Sequence, residues 1–141
     1  MIDDRLVAEL FEAAAKARDR AYAPYSRFRV GAALATPDGA IFAGCNVENA
    51  AYPVGLCAEA GAIAAMVAAG GSRIAALLVL GAGEALCTPC GACRQRIREF
   101  AAPAAEILVA GPEGLRRRFA LAELLPESFG PDSLGGADIR D

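Results

Sequence analysis

The chain has 141 residues, with 14 basic against 17 acidic side chains, no histidine and a formal net charge of −3. That length suits one domain, residues 1–141, with a real hydrophobic core. The acidic balance argues against a groove that tracks long nucleic acid, and no apolar stretch is long enough to cross a membrane.

The start, Met1-Ile2-Asp3-Asp4-Arg5, lacks the basic head and apolar middle of a secretion signal. Residues 3 to about 21 read as an amphipathic helix, with Leu6, Leu10, Ala14, Ala17 and Ala21 on one stripe. Asp3 or Asp4 can cap its first turn, and the Ala23-Pro24 step is expected to end it. Residues 28–34 read as a strand whose larger side chains alternate, so that one face meets the core. Thr36-Pro37-Asp38-Gly39 turns the chain into a second strand, residues 41–45. The polar run Asn46-Val47-Glu48-Asn49 that follows is either a plain turn-rich loop or a binding loop.

Residues 57–69 favour a helix that Gly70-Gly71 stops. Residues 74–80 are a continuous apolar run, the mark of a strand covered on both faces. A second helix carries Cys90 and Cys93 in its first turn, continues its buried face with Ile97 and Phe100, and ends near Pro103. Residues 105–110 form another strand, and Arg118-Phe119 a last one before Leu121 to Leu125 and a tail rich in Gly, Pro and Asp. The one basic run, Arg116-Arg117-Arg118, reads as a solvated strand end. An opening helix and hairpin, followed by alternating strands and helices, give an α/β layered domain. Hydrophobic residues make up 55% of the chain, largely as alanine, which suits close helix packing and hints at subunit contacts.

The chemistry concentrates in Leu56-Cys57-Ala58-Glu59 and Thr88-Pro89-Cys90-Gly91-Ala92-Cys93. Three thiolates leave the fourth position of a tetrahedral zinc ion open, as catalytic zinc sites do. Glu59, two residues from the first thiol, can then handle the protons of a zinc-bound water. Two blander readings remain open at this level. Cys45 or Cys87 can complete a four-cysteine structural site, and Cys90 with Cys93 can be a redox pair. The five cysteines, an odd number with three wanted as thiolates, favour a reducing cytoplasm. A Cys-x-Glu followed by Pro-Cys-x-x-Cys is the signature of zinc deaminases.

Taken together the landmarks resemble the small cytidine deaminases that act on free nucleosides. The resemblance runs through Ala21-Tyr22-Ala23-Pro24-Tyr25-Ser26, Phe28-Arg29-Val30-Gly31-Ala32-Ala33 and Gly44-Cys45-Asn46-Val47-Glu48-Asn49-Ala50-Ala51-Tyr52-Pro53. It continues through Cys57-Ala58-Glu59 and Pro89-Cys90-Gly91-Ala92-Cys93-Arg94-Gln95 to Leu124-Leu125-Pro126 and Phe129. It implies a three-layer α/β/α sandwich with a mixed five-stranded sheet, assembled as a homotetramer and taking a nucleoside substrate, with no nucleic acid or membrane partner. It implies one Zn2+ per chain on Cys57, Cys90 and Cys93, with Glu59 as the proton shuttle. Phe28 would stack near the pyrimidine, and Asn46 and Glu48 would bond the ribose hydroxyls. Backbone groups around Ala58 and Cys90 would read the cytosine edge, while Tyr52 and Phe129 would complete sites across subunits. The implied reaction is hydrolysis of cytidine, and of 2'-deoxycytidine, to uridine and ammonia in pyrimidine salvage. The alternatives are a deaminase of a modified cytosine nucleoside, of the antibiotic-inactivating type, or a structural zinc module.

One departure stands out. Many members of that family place arginine directly after Cys-Ala-Glu, where it hydrogen-bonds the thiolates, whereas this chain has Ala60 and Gly61. Three thiolates on a divalent ion leave a net negative centre that weakens its power to acidify water. The helix N-termini, or Arg94, Gln95 or Arg96, are therefore expected to supply the missing donors.

Overall fold

A computed structural model describes residues 1–135. Helix α1 (Asp4–Asp19) precedes the hairpin of β1 (Gly31–Ala35) and β2 (Ile41–Cys45). There follow α2 (Ala58–Ala68), β3 (Ile74–Leu80), α3 (Gly91–Phe100), β4 (Ala101–Gly111), β5 (Gly114–Ala120) and the short α4 (Leu121–Leu124). The five strands form one sheet in the order β2-β1-β3-β4-β5. Only β3 and β4 pair in parallel; the other neighbours are antiparallel, so the sheet is mixed. A parallel pair needs a long crossover, and α3 supplies it.

The apolar run of β3 explains the layering. Its Ala76, Leu78 and Leu80 face α1, where Leu10 and Ala14 pack with Ala33, Ala35 and Ala110. Its Leu77 and Val79 face the other way, onto Ala62, Ile63 and Met66 of α2 and Ile97 of α3. The sheet is thus covered on both faces, as the continuous apolar pattern requires. Small residues line the α1 side because that helix lies close: a Cβ on Gly31 would meet the Ala14 carbonyl oxygen at 2.0 Å.

Four local expectations change. Helix α1 ends at Asp19, ahead of the Ala23-Pro24 step, while Asp3 caps it by accepting from the Leu6 amide at 2.9 Å. Strand β1 begins only at Gly31 and is buried along its whole length, so it has no solvent face and no alternation. Strand β4 starts at Ala101 and runs through Pro103. The register against β3 jumps between Ile74/Ala101 and Ala76/Glu106, so the proline falls in an irregular stretch where its missing N–H costs no ladder bond. The basic run is not a solvated strand end either. Arg116 pairs with Glu113 at 2.6 Å, Arg118 with Glu106 at 3.3 Å, and Arg117 lies over the Phe119 ring at 4.6 Å.

Among the described residues no helix is long and apolar enough to cross a membrane. The expected single domain extends over residues 136–141, which lie outside the described residues.

Candidate active site

Two helix starts converge on the reactive stretches. Helix α2 lies against β2 because Gly44 has no side chain: a Cβ there would come within 2.4 Å of the Ala62 nitrogen and 2.6 Å of the Ala58 carbonyl oxygen. This close seat buries the first turn, leaving Ala58 inaccessible and Glu59 only 4% exposed. Cys57 is the N-cap of α2 and Cys90 the N-cap of α3, both in extended conformation, and Cys93 lies in the first turn of α3 with no exposed surface. The positive ends of both helices thus sit at the thiols, where they favour thiolate.

The sulfurs of Cys57, Cys90 and Cys93 all lie within 4.8 Å of one another, and Cys57 and Cys90 are 4.0 Å apart. Tetrahedral zinc–thiolate bonds put sulfurs about 3.8 Å apart, so the donor set fits one zinc ion with little adjustment. Neither Cys45 nor Cys87 belongs to the cluster among the described residues, which leaves three protein ligands instead of four. The protons on these sulfurs are distributed unevenly. Burial pushes the Cys57 and Cys93 thiols up, and the neighbouring Glu59 carboxylate adds to it. Burial acts on Cys90 too, but hydrogen bonds from the Cys93 amide and from the Cys93 and Cys57 thiols outweigh it and hold Cys90 below the usual thiol range.

Glu59 is not a member of the cluster but sits beside it. Burial raises its carboxyl above the usual range, and its own backbone amide, the Cys93 thiol and Arg96 only partly offset that. A carboxyl raised in this way exchanges protons nearer neutral pH, which suits general acid–base work.

The side chains after Cys93 divide their tasks. Arg94 donates to the carbonyls of Pro89 at 2.7 Å and Leu124 at 2.9 Å, tying down the loop before α3. Gln95 donates to the Phe129 carbonyl at 2.9 Å. Arg96 alone of the three expected donors reaches a ligand sulfur, with its Nη1 3.4 Å from Cys93 Sγ.

A cavity of about 420 Å³ opens in front of the cluster, lined among others by Phe28, Asn46, Tyr52, Cys57, Ala58, Glu59 and Cys90. Asn46 holds one wall in place: its Oδ1 accepts from the Val30 amide at 2.9 Å and its Nδ2 donates to the Phe28 carbonyl at 2.8 Å. Glu48 lines an adjoining hollow of about 340 Å³ with Tyr25, Ser26 and Tyr52. Its carboxylate accepts from the Tyr25 and Ser26 amides at 2.9 and 3.1 Å and from the Ser26 hydroxyl. The hydroxyl bond, with the two amides, holds that carboxyl below its usual range. Tyr52 borders both spaces and is 76% exposed, with Tyr25 edge-on to it at 6.0 Å between ring centroids. Phe129 is also exposed and does not line the cavity. The sequence alone assigned no role in these walls to Ser26 and Thr88, which appeared only within longer motifs, and it offered Cys87 only as a fourth thiol.

Comparison with known proteins agrees with this geometry. Residues 5–109 match the cytidine and deoxycytidylate deaminase zinc-binding region. The chain belongs to that family. It is 41% identical over 134 residues to the cytidine deaminase of Sporosarcina psychrophila, covering 95% of this chain and 96% of that one. It is 43% identical over 121 residues to the cytidine deaminase of Mycobacterium tuberculosis, covering 86% and 87% of the two chains. The crystal structure of cytidine deaminase from Burkholderia pseudomallei superposes with a TM-score of 0.82 at 46% identity, over 86% of this chain and 98% of that one. Zinc is the metal of this family's domain, and Cys57, Cys90 and Cys93 are placed to bind one ion.

Proposed function

We propose that this chain is a zinc-dependent hydrolase that converts free cytidine, and 2'-deoxycytidine, to uridine and ammonia. The observation that carries the reading is the buried carboxyl of Glu59 beside a cluster of only three thiols, at the wall of a cavity large enough for a small nucleoside. Relatives of similar length named as cytidine deaminases support the same substrate. A structural zinc module has no use for a carboxylate buried at such a cost.

When bound by Cys57, Cys90 and Cys93, zinc supplies Lewis acidity and a water made acidic enough to attack near neutral pH. Glu59, its carboxyl raised by burial, would be the group that takes up the first proton of the attacking water. It would pass that proton to the ring nitrogen N3, then take the second one from the added hydroxyl and pass it to the departing amino group, so the water oxygen ends on uridine and the amine leaves as ammonia. Phe28 offers a ring face at the cavity wall for the pyrimidine. Asn46 has one amide hydrogen and one lone pair left after bracing residues 28–30, and Glu48 keeps acceptor capacity beyond its bonds to Ser26 and Tyr25. These spare valences suit ribose hydroxyls. Ala58 and Cys90 line the same wall, which supports a role for their backbone groups in reading the cytosine edge.

The exposed rings of Tyr52 and Phe129 fit a site completed by a second subunit, in keeping with a homotetramer. The enzyme acts as a single domain in the cytoplasm, in pyrimidine salvage. The test is incubation of zinc-loaded protein with cytidine. Uridine and ammonia in equal amounts are expected, and no turnover by folded, zinc-loaded protein would overturn the reading.

A further inference from the structure

We propose that Arg96 is a positioning residue of the metal centre, which braces the Cys93 thiolate and offsets the excess negative charge of three thiolates around a divalent ion. The inference rests on the zinc reading above and extends it to a residue outside the ligand set.

Charge sets the problem. Three thiolates on a divalent cation leave a net charge of about −1, and an unbalanced charge is costly at the buried Cys93 sulfur, more so than at half-buried Cys57 or exposed Cys90. Beyond its positive N-terminal end, helix α2 offers no cation to balance it: the sequence from Ala58 to Ala68 contains no basic residue, and its one charged side chain, Glu59, is acidic. Helix α3, by contrast, carries Arg94, Arg96 and Arg98. Arg94 spends its guanidinium on Pro89, Leu124 and Thr88. Arg98 spends its own on Ser128 and Asp132, both at 2.9 Å.

Arg96 is left, and its geometry suits the role. It lies three residues after Cys93, one helical turn along the same face, and helical side chains lean back toward the N-terminus. Its Nη1 comes within 3.4 Å of Cys93 Sγ. Cys93 has no exposed surface of its own, so water cannot solvate that sulfur and the guanidinium takes its place. A guanidinium is charged at any working pH and donates in fixed directions, so it restrains the sulfur as well as neutralising it.

The experiment compares wild type, Arg96→Met and Arg96→Lys, each loaded with zinc and separately with cobalt(II). An N–H donor lowers the energy of the sulfur lone pairs, so its loss is expected to move the thiolate-to-cobalt charge-transfer band to longer wavelength in Arg96→Met. Zinc release to a chelator is expected to quicken about 10- to 100-fold in the same variant, as when outer partners of metal ligands are removed. Arg96→Lys, which keeps the charge, is expected to restore most of both. An Arg96→Met protein with an unmoved band and a wild-type zinc release rate would overturn the inference alone. A folded wild type that takes up neither ion would overturn the metal-centre reading, and the inference with it.

Discussion

Helices α2 and α3 each offer a cysteine N-cap to the same cluster, but their sequences differ in kind. From Ala58 to Ala68, α2 is almost wholly alanine, glycine and larger apolar residues, with Glu59 its only charge. From Gly91 to Phe100, α3 is rich in arginine, with Gln95 and Glu99 besides. The contrast follows from how each is held. Small residues let α2 lie directly on β2 across Gly44, and that contact buries the first turn and its carboxyl. Helix α3 spends its polar side chains on the Pro89 loop, the end of α4 and the segment around Ser128 to Asp132. One helix fixes the position of an acid, and the other brings the compensating charge.

The sharpest way to break this division is Glu59→Gln. It keeps shape and burial but cannot shuttle protons, so uridine formation is expected to fall about 10²- to 10⁴-fold while metal analysis still finds one zinc per chain. Substitutions at two glycines test the packing half of the contrast. Gly44→Ala places a methyl 2.4 Å from the Ala62 nitrogen, whereas a Cβ on Gly91 meets nothing within 4 Å. Denaturant unfolding is expected to show a loss of about 1–3 kcal/mol for the first and a change within about 0.5 kcal/mol for the second.

Metal removal probes the protons on the sulfurs. Without metal, the Cys57 and Cys93 thiols are raised and hold their protons at neutral pH, while Cys90 is lowered. Zinc must displace those protons, so its affinity falls as pH falls, and binding near neutral pH is expected to release about two to three protons. Calorimetry in buffers of different ionisation enthalpy counts them, and zero release would contradict the assignment of ligands. The smallest effect is expected from Ala60→Arg, which gives α2 the cation it lacks. With Arg96 already on Cys93, the acid limb of the pH–rate profile should move by less than about half a unit, against the larger shift expected if the centre lacked a donor.

Much of this was legible in the sequence, for definite reasons. The run from Ile74 to Leu80 has no polar interruption, so a strand covered on both faces is its economical reading, and its bounds are those of β3. The clustering of Cys57 with Cys90 and Cys93 follows from two helix starts with thiols at the cap positions. The start of β1 was not legible. Phe28 and Val30 look like strand residues, but the Asn46 side chain captures the Phe28 carbonyl and the Val30 amide and keeps both out of the ladder. Beyond them, Gly31-Ala32-Ala33 are too small to show alternation. Pro103 looks like a terminator because the irregular register that tolerates it is a property of the neighbouring strand pair. Arg94, Gln95 and Arg96 are equivalent as letters. Only the turn of α3 and the position of the Pro89 loop decide that Arg96 meets a sulfur.

The central claim is that three thiolates, and not four, hold the metal beside Glu59. X-ray absorption at the zinc edge of the resting protein tests it most directly. Three sulfur neighbours and one lighter oxygen-type neighbour are expected. Four sulfurs, with Cys45 or Cys87 drawn in, would contradict the account and make the centre structural.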